Sequence, residues 1–227
     1  MGWPSYSSLE ISFLSQPLAP PSSAQDETIS VYAADIPELC ARDVAEITHK
    51  SQTQTVPNHV DAQVTFLPTQ AQAFWHFGAE QHLASKLSLE ASPASKESTF
   101  AGPKPSIKGA QTISKMTFGY WVHNINENDL VLLRLASFRP KTSETEAVIV
   151  KELACILRAA QAEAAAWNLQ HVVIWNPDEL IQKAFKLVFG QEPVVRTRTE
   201  GSIPCLRWKN GEDVKVEWLL NEKFNWC

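Results

Sequence analysis

His76 and Glu80 stand one helical turn apart, a spacing at which a helix can offer two ligands to a metal ion. No third ligand accompanies them at matching spacing, so the pair reads as surface neighbours. The four cysteines, Cys40, Cys155, Cys205 and Cys227, are scattered, without a CxxC pair or a histidine at zinc-ligand distance. They read as free thiols of a reducing compartment, with Cys155 inside a helical run where a thiol serves packing. A cysteine nucleophile at Cys155 or Cys205 would need His171 as its base, a pairing that only folding can make. The chain has no G-x-S-x-G elbow, Walker loop or dinucleotide fingerprint. Arg139 and Lys141 precede a strongly helical run and either draw an anion to its N-terminus or remain solvated charges.

The elements that must position these groups are legible mainly in the second half. Residues 117 to 123 (TFGYWVH) and 130 to 136 (LVLLRLA) are strand-like, and the polar NINEND between them predicts an antiparallel hairpin. Ser143 with Glu146 forms a capping box, and Ile149, Leu153, Ile156, Ala160, Ala164 and Trp167 keep one apolar face along an Ala-rich helix. HVVIW at 171 to 175 predicts a short strand, after which Asp178 caps a helix that stops at Gly190. Two more strands follow, at 193 to 199 or 204 to 208 and at 214 to 220, joined by the turn pair Asn210-Gly211.

Upstream, Asp35 with Glu38 predicts a helix over 36 to 49 carrying Cys40, Val44 and Ile47 on one face. Thr69 caps a second helix to about residue 87, with Phe74, Phe77, Ala84 and Leu87 as its stripe, and Val64 to Phe66 alternate like a strand. SQPLAPPSSAQDET at 14 to 27 predicts an extended surface crossing, and SLEASPASKESTFAGPKPSIKGAQTISK at 88 to 115 a long mobile loop. The expected domains are thus a leading segment and linker over 1 to 27, a helical segment over 28 to 87, the loop, and a C-terminal domain over 116 to 227.

Composition supports a globular protein: 44% of the residues are hydrophobic, with eight Trp and ten Phe to offset ordering entropy. A net charge of -5 with dispersed basic residues argues against a nucleic-acid or anionic-membrane partner. No run of about 18 apolar residues could span a bilayer, and the start lacks a secretion signal, so a cytoplasmic location is expected. The element order β, β, long α, β, α, β, β predicts a mixed α/β fold, a largely antiparallel sheet flanked by helices.

A more specific pointer lies in local segments. FLPTQAQAFWHFGAE at 66 to 80, KGA at 108 to 110, YWVH at 120 to 123, LLRL at 132 to 135, AEAAAWNLQHVVIWNP at 162 to 177, SIPCLRW at 202 to 208 and NEKFNWC at 221 to 227 follow one another in a known order. In them the chain resembles the C-terminal half of the fungal lysine N-acetyltransferases of the lysine-degradation type, within the GNAT superfamily. MGWPSYSSLEISF at the start resembles the end of that family's first, catalytic GNAT domain, so a full-length member would extend further on the N-terminal side.

The resemblance implies an activity, acetyl transfer from acetyl-CoA to a lysine amino group, and a test of whether this half could perform it. A GNAT site holds the cofactor pyrophosphate on a Q/R-x-x-G-x-G/A loop before the long helix. Here that loop is Ser137-Phe138-Arg139-Pro140-Lys141-Thr142-Ser143, without glycine and with one N-H removed by Pro140. The tyrosine that would protonate the thiolate, four residues before the terminal glycine of the shorter helix, falls on Lys186, beside Phe185. No catalytic residue, no metal and no cofactor bound by this chain alone is therefore expected. A catalytic GNAT domain, in cis or in trans, is the implied partner.

The role the resemblance leaves to this half is recognition of lysine: a carboxylate for ammonium, aromatic faces for the stem and cation, Arg for the α-carboxylate. The candidates are Trp121, His123, Arg134, Trp175, Asn176 and Glu222. Each has a plainer role open to it: core for the two tryptophans, a satisfied histidine, an ion pair for Arg134, the turn before Pro177 for Asn176, and pairing with Lys223 or Arg207 for Glu222. The alternatives are an interaction module that kept the fold without the enzyme, and a self-contained acyltransferase with an unusual cofactor site.

Overall fold

The structure, a computed structural model, describes residues 9–14, 27–53, 55–90, 106–190, 194–197, 205 and 214–226. In chain order these form β1 (Leu9–Leu14), β2 (Thr28–Tyr32), α1 (Ile36–Thr53), β3 (Ala62–Val64), α2 (Gln70–Glu90), β4 (Ile107–Thr112), β5 (Thr117–Asn124), β6 (Asp129–Ser137), α3 (Glu146–Ala166), β7 (His171–Trp175), α4 (Glu179–Phe189), β8 (Val194–Thr197) and β9 (Val216–Trp218). A 3-10 turn, Lys223–Asn225, closes the described chain.

The β5–β6 hairpin forms as its alternation predicts, and Asn128 takes the left-handed conformation that turns it. From β6 the chain crosses through α3 to β7, which pairs parallel to β6. Seven strands make one sheet in the order β2-β4-β5-β6-β7-β1-β8, antiparallel except at β6–β7. The mixed, largely antiparallel α/β fold is as expected. α3 and α4 cover one face, setting Ile156 and Phe185 over Trp121, Leu132 and Leu135, while α1, α2 and the C-terminal turn cover the other over Phe118, Tyr120, Leu133 and Trp175.

Local signals set several helix ends. The Asp178 carboxylate accepts from the Ile181 N–H at 2.9 Å, and Gly190 at φ 66° ends α4 by donating to the Lys186 carbonyl. Gln72 reaches back to the Thr69 N–H at 2.8 Å, half of a capping box at the start of α2. Two expected caps are different. Asp35 turns its carboxylate back to the Tyr32 N–H, and α3 begins at Glu146 with Thr145 in the cap position, so Ser143 lies two residues too early to cap it. The residues before α3 instead form a Thr142–Thr145 turn with mutual hydroxyl contacts.

Larger corrections concern partners distant in sequence. Residues 107–112, expected in a mobile loop, form β4 inside the sheet, and residues 28–32, expected in a helical segment, pair with it as β2. β4 looks unlike a strand because Lys108 and Gly109 sit in it. Lys108 is buried against Glu80, and a Cβ on Gly109 would lie 2.2 Å from the Gly119 carbonyl oxygen, so the two strands meet where glycine alone fits. Of the two alternatives for the next strand, 193–199 is no hairpin partner of β9: β8 pairs with β1, and β9 pairs parallel to β3. Of 204–208 only Cys205 is among the described residues. Asn210-Gly211 lies outside the described residues. The N-terminal segment contributes β1 between β7 and β8.

Candidate functional site

β6 and β7 pair from Asp129↔His171 to Leu132↔Ile174, after which β7 ends at Trp175 while β6 runs on to Ser137. The diverging ends leave a mouth in the sheet. At that point β6 is bulged: Trp121 faces Leu132 and Tyr120 faces Arg134, so Leu133 is the extra residue. Leu133 joins Val131 in the core under α1 and α2, and the bulge turns Arg134 to the same side, which brings its guanidinium to Asp43 of α1.

Arg134 donates from Nε and Nη2 to the two oxygens of Asp43, at 2.7 and 3.0 Å, and from Nη1 to Glu222. The fork geometry suits a planar guanidinium on a carboxylate. Residues 221–226 bridge the mouth as a strap. The Asn176 amide donates to the Asn221 carbonyl, Lys223 Nζ stands 4.6 Å from the Trp175 ring centre, and Phe224 is buried in the core beneath. Asn176 holds φ 48°, a conformation asparagine tolerates better than most residues.

Glu222 is pushed up to about 7, first by burial and then by the nearby Asp43 carboxylate, against the pull of Arg134. One guanidinium serves two buried carboxylates, so the second is under-compensated. Between an unfolded value of 4.5 and a folded value of about 7, the folded protein holds a proton that the unfolded chain releases. Stability therefore falls as pH rises through that window, by up to about 3 kcal/mol. Glu222→Gln is expected to remove this slope, seen as melting temperatures that change less between about pH 5 and pH 8 than in the wild type.

A second buried network crosses the sheet at the far end of β5. His123 meets Glu80 of α2 through Nδ1 at 2.8 Å and Glu163 of α3 through Nε2 at 3.0 Å, while its backbone N–H donates to Glu80 at 2.9 Å. Lys108 donates to the other Glu80 oxygen, and Trp167 packs edge-on against the imidazole. Two carboxylates thus face an imidazole and an ammonium. Burial alone would lower the His123 value and raise that of Glu80, but the hydrogen bonds outweigh it and hold His123 above and Glu80 below their ordinary ranges.

Before α3, where the resemblance would place a pyrophosphate, the positive groups are already engaged. Arg139 donates to both oxygens of Glu152, at 2.9 and 2.7 Å, and Ser114 and Thr117 hold the same carboxylate. Lys141 pairs with Asp178 at 2.8 Å, and Lys183 with Glu146 at 2.5 Å. The Glu146 and Ile149 N–H groups donate to the Thr142 and Thr145 carbonyls. The adjoining cleft of about 470 Å³ is lined by Lys141, Thr142, Ser143, Glu146, Asp178, Glu179 and Leu180, three carboxylates against one ammonium. These residues do not fit a diphosphate. Lys186 is exposed on α4, and Phe185 beside it is buried in the core.

A family model described as the LYC1 GNAT-like C-terminal domain matches residues 12–227. The chain belongs to this family. Its mixed sheet, the crossover through α3 and the divergence of β6 from β7 are therefore those of a GNAT-like domain. No curated protein and no solved structure gives a significant match. Among the described residues of this GNAT-like domain, no helix is long and apolar enough to cross a membrane.

Four of the six residues predicted for recognition meet at the mouth: Arg134, Trp175, Asn176 and Glu222. Glu222 pairs with Arg134, and Arg207 lies outside the described residues. Trp121 lies on the opposite face of the GNAT-like sheet, beneath α3, and His123 in its own network. Sequence reasoning missed Asp43, which completes the Arg134 fork, and placed His76 and Glu80 on the surface. Both are buried, His76 with Nε2 3.3 Å from the Phe224 carbonyl oxygen of the strap. The buried face of α2 runs through Ala73, His76, Phe77 and Glu80, while Phe74 is partly exposed. A polar stripe continuing an apolar one at helical spacing was the available signal. Tyr120 was also missed: its hydroxyl is fully buried beside the Cys40 thiol without a hydrogen bond of normal geometry.

Proposed function

We propose that this domain is the substrate-side or supporting half of a lysine N-acetyltransferase, working with a catalytic GNAT domain in cis or in trans and not transferring acetyl groups alone. The observation that carries this reading is the segment 137–145. Pro140 stands where a donor is wanted, Arg139 and Lys141 are committed to carboxylates, and the neighbouring cleft is acidic. An acyl-CoA diphosphate would meet repulsion there in place of a cradle of N–H groups. Acetyl-CoA is then the cofactor of the catalytic partner, and free lysine or a similar amine its acceptor.

Calorimetric titration of the isolated chain with acetyl-CoA is expected to give no binding heat. Saturable binding at micromolar affinity would overturn the reading, as would lysine-dependent release of CoA thiol by the chain alone. Thiol release that depends on adding a catalytic domain supports it.

A further inference from the structure

The first two turns of α2 hold the strap with one side and face outward with the other. Gln72 lies 3.5 Å from Asn225, His76 meets the Phe224 carbonyl, and Ala73 and Phe77 are buried. The outward side carries Phe74 and Trp75, 37% and 51% exposed, and then Gly78. Gly78 is three and four residues beyond them and so shares their face. A Cβ at Gly78 would meet nothing within 4 Å. Glycine inside a helix costs about 1 kcal/mol relative to alanine, and no contact among the described residues explains it. Two exposed aromatic rings flanking a bare stretch of helix backbone are the features of a surface that another backbone approaches closely.

A second aromatic group lies at the strap. Trp226 donates to Asn221 at 3.0 Å, packs tilted against Trp218 and meets Phe66 edge-on, and Phe66 is 45% exposed. Asn221 in turn receives the Asn176 amide at the end of β7. The route from the end of β7 to the exposed Phe66 ring is therefore continuous: Asn176, Asn221, Trp226, Phe66.

That end of β7 is also where a preceding domain would join. The family is by description a C-terminal domain, and its match begins within β1. β1 runs antiparallel to β7 with Glu10 opposite Trp175, so its start lies at the β7 end that carries Asn176 and the strap. A domain tethered there is held near the aromatic surface at an effective concentration on the order of millimolar, an advantage a second copy of the chain lacks.

We propose that the outer face of α2, formed by Phe74, Trp75 and Gly78, is the docking surface for the catalytic acetyltransferase domain. This rests on the supporting-half reading and adds where the two halves meet. The probe is the acetyltransferase domain of an intact family member expressed without its own C-terminal unit, titrated into the full chain. Gly78→Gln and Trp75→Ser are each expected to weaken association by about tenfold or more, while Leu187→Ser on exposed α4 leaves it unchanged. Gly78→Gln should melt no lower than the wild type, since glutamine is the better helix former, so lost association cannot be lost folding. Unchanged association in both variants would overturn the docking surface and leave the supporting-half reading intact. Failure of every form to associate would overturn both, and a concentration-dependent dimer abolished by Gly78→Gln would assign the face to a second copy.

Discussion

Arg134→Met is expected to lower the unfolding free energy by about 3–5 kcal/mol near pH 8, because it strands Asp43 and Glu222 as buried carboxylates without their shared cation. Methionine fills much of the volume, so the loss is electrostatic more than steric. The loss should shrink on acidification, since protonated carboxyls need no counter-charge. Denaturant unfolding of both proteins at about pH 8 and pH 5 measures this directly. The triple change Arg134→Met, Asp43→Leu, Glu222→Gln should recover most of the loss, as replacing a whole buried ionic cluster by packed neutral groups is often close to neutral. A loss below about 1 kcal/mol at pH 8 would mean that water screens the cluster as it does a surface pair, and would contradict the raised Glu222.

His123→Leu is expected to be as damaging, at about 3–5 kcal/mol, because Glu163 loses its imidazole partner and Glu80 keeps only Lys108. The pH dependence separates this from a packing defect. His123 is held above its ordinary 6.5, so the stability it contributes is fully present below about pH 6.5 and is lost as pH rises through the higher folded value. Glu80, held below 4.5, contributes stability that is present above that pH and lost as pH falls through its lower folded value. His123 and Glu222 thus act in the same direction, and the wild type should be more stable at about pH 6 than at about pH 9. The His123→Leu protein should show a flatter profile, and an unchanged slope would place the alkaline loss elsewhere.

The two clusters bear on the proposed function in different ways. The Arg134 cluster ties β6 to α1 and to the strap, and with Trp175 and Asn176 fixes the shape of the mouth that a catalytic partner would adjoin. The His123 cluster joins the helices of both faces through β5. Each places charge where an apolar residue would be cheaper, and each links elements far apart in sequence. For a supporting half, this makes relative placement of the helices specific, a role buried ion pairs serve in some folds.

The sequence by itself determined the elements whose signals are local. The β5–β6 hairpin, the apolar face of α3, the run of β7, and the Asp178 and Gly190 ends of α4 follow from alternation, helical period and capping within a few residues. That residues 137–143 hold no glycine and that Lys186 stands four residues before Gly190 are likewise local facts. Tertiary structure decided what depends on partners dozens of residues away. Lys108 and Gly109 belong to a strand because Glu80 neutralises one and the Gly119 carbonyl leaves room only for the other. Glu80 and His76 are buried because His123, Lys108 and the strap satisfy them. Arg134 faces Asp43 because a bulge at Leu133 breaks the two-residue period on which any reading of a strand's faces relies.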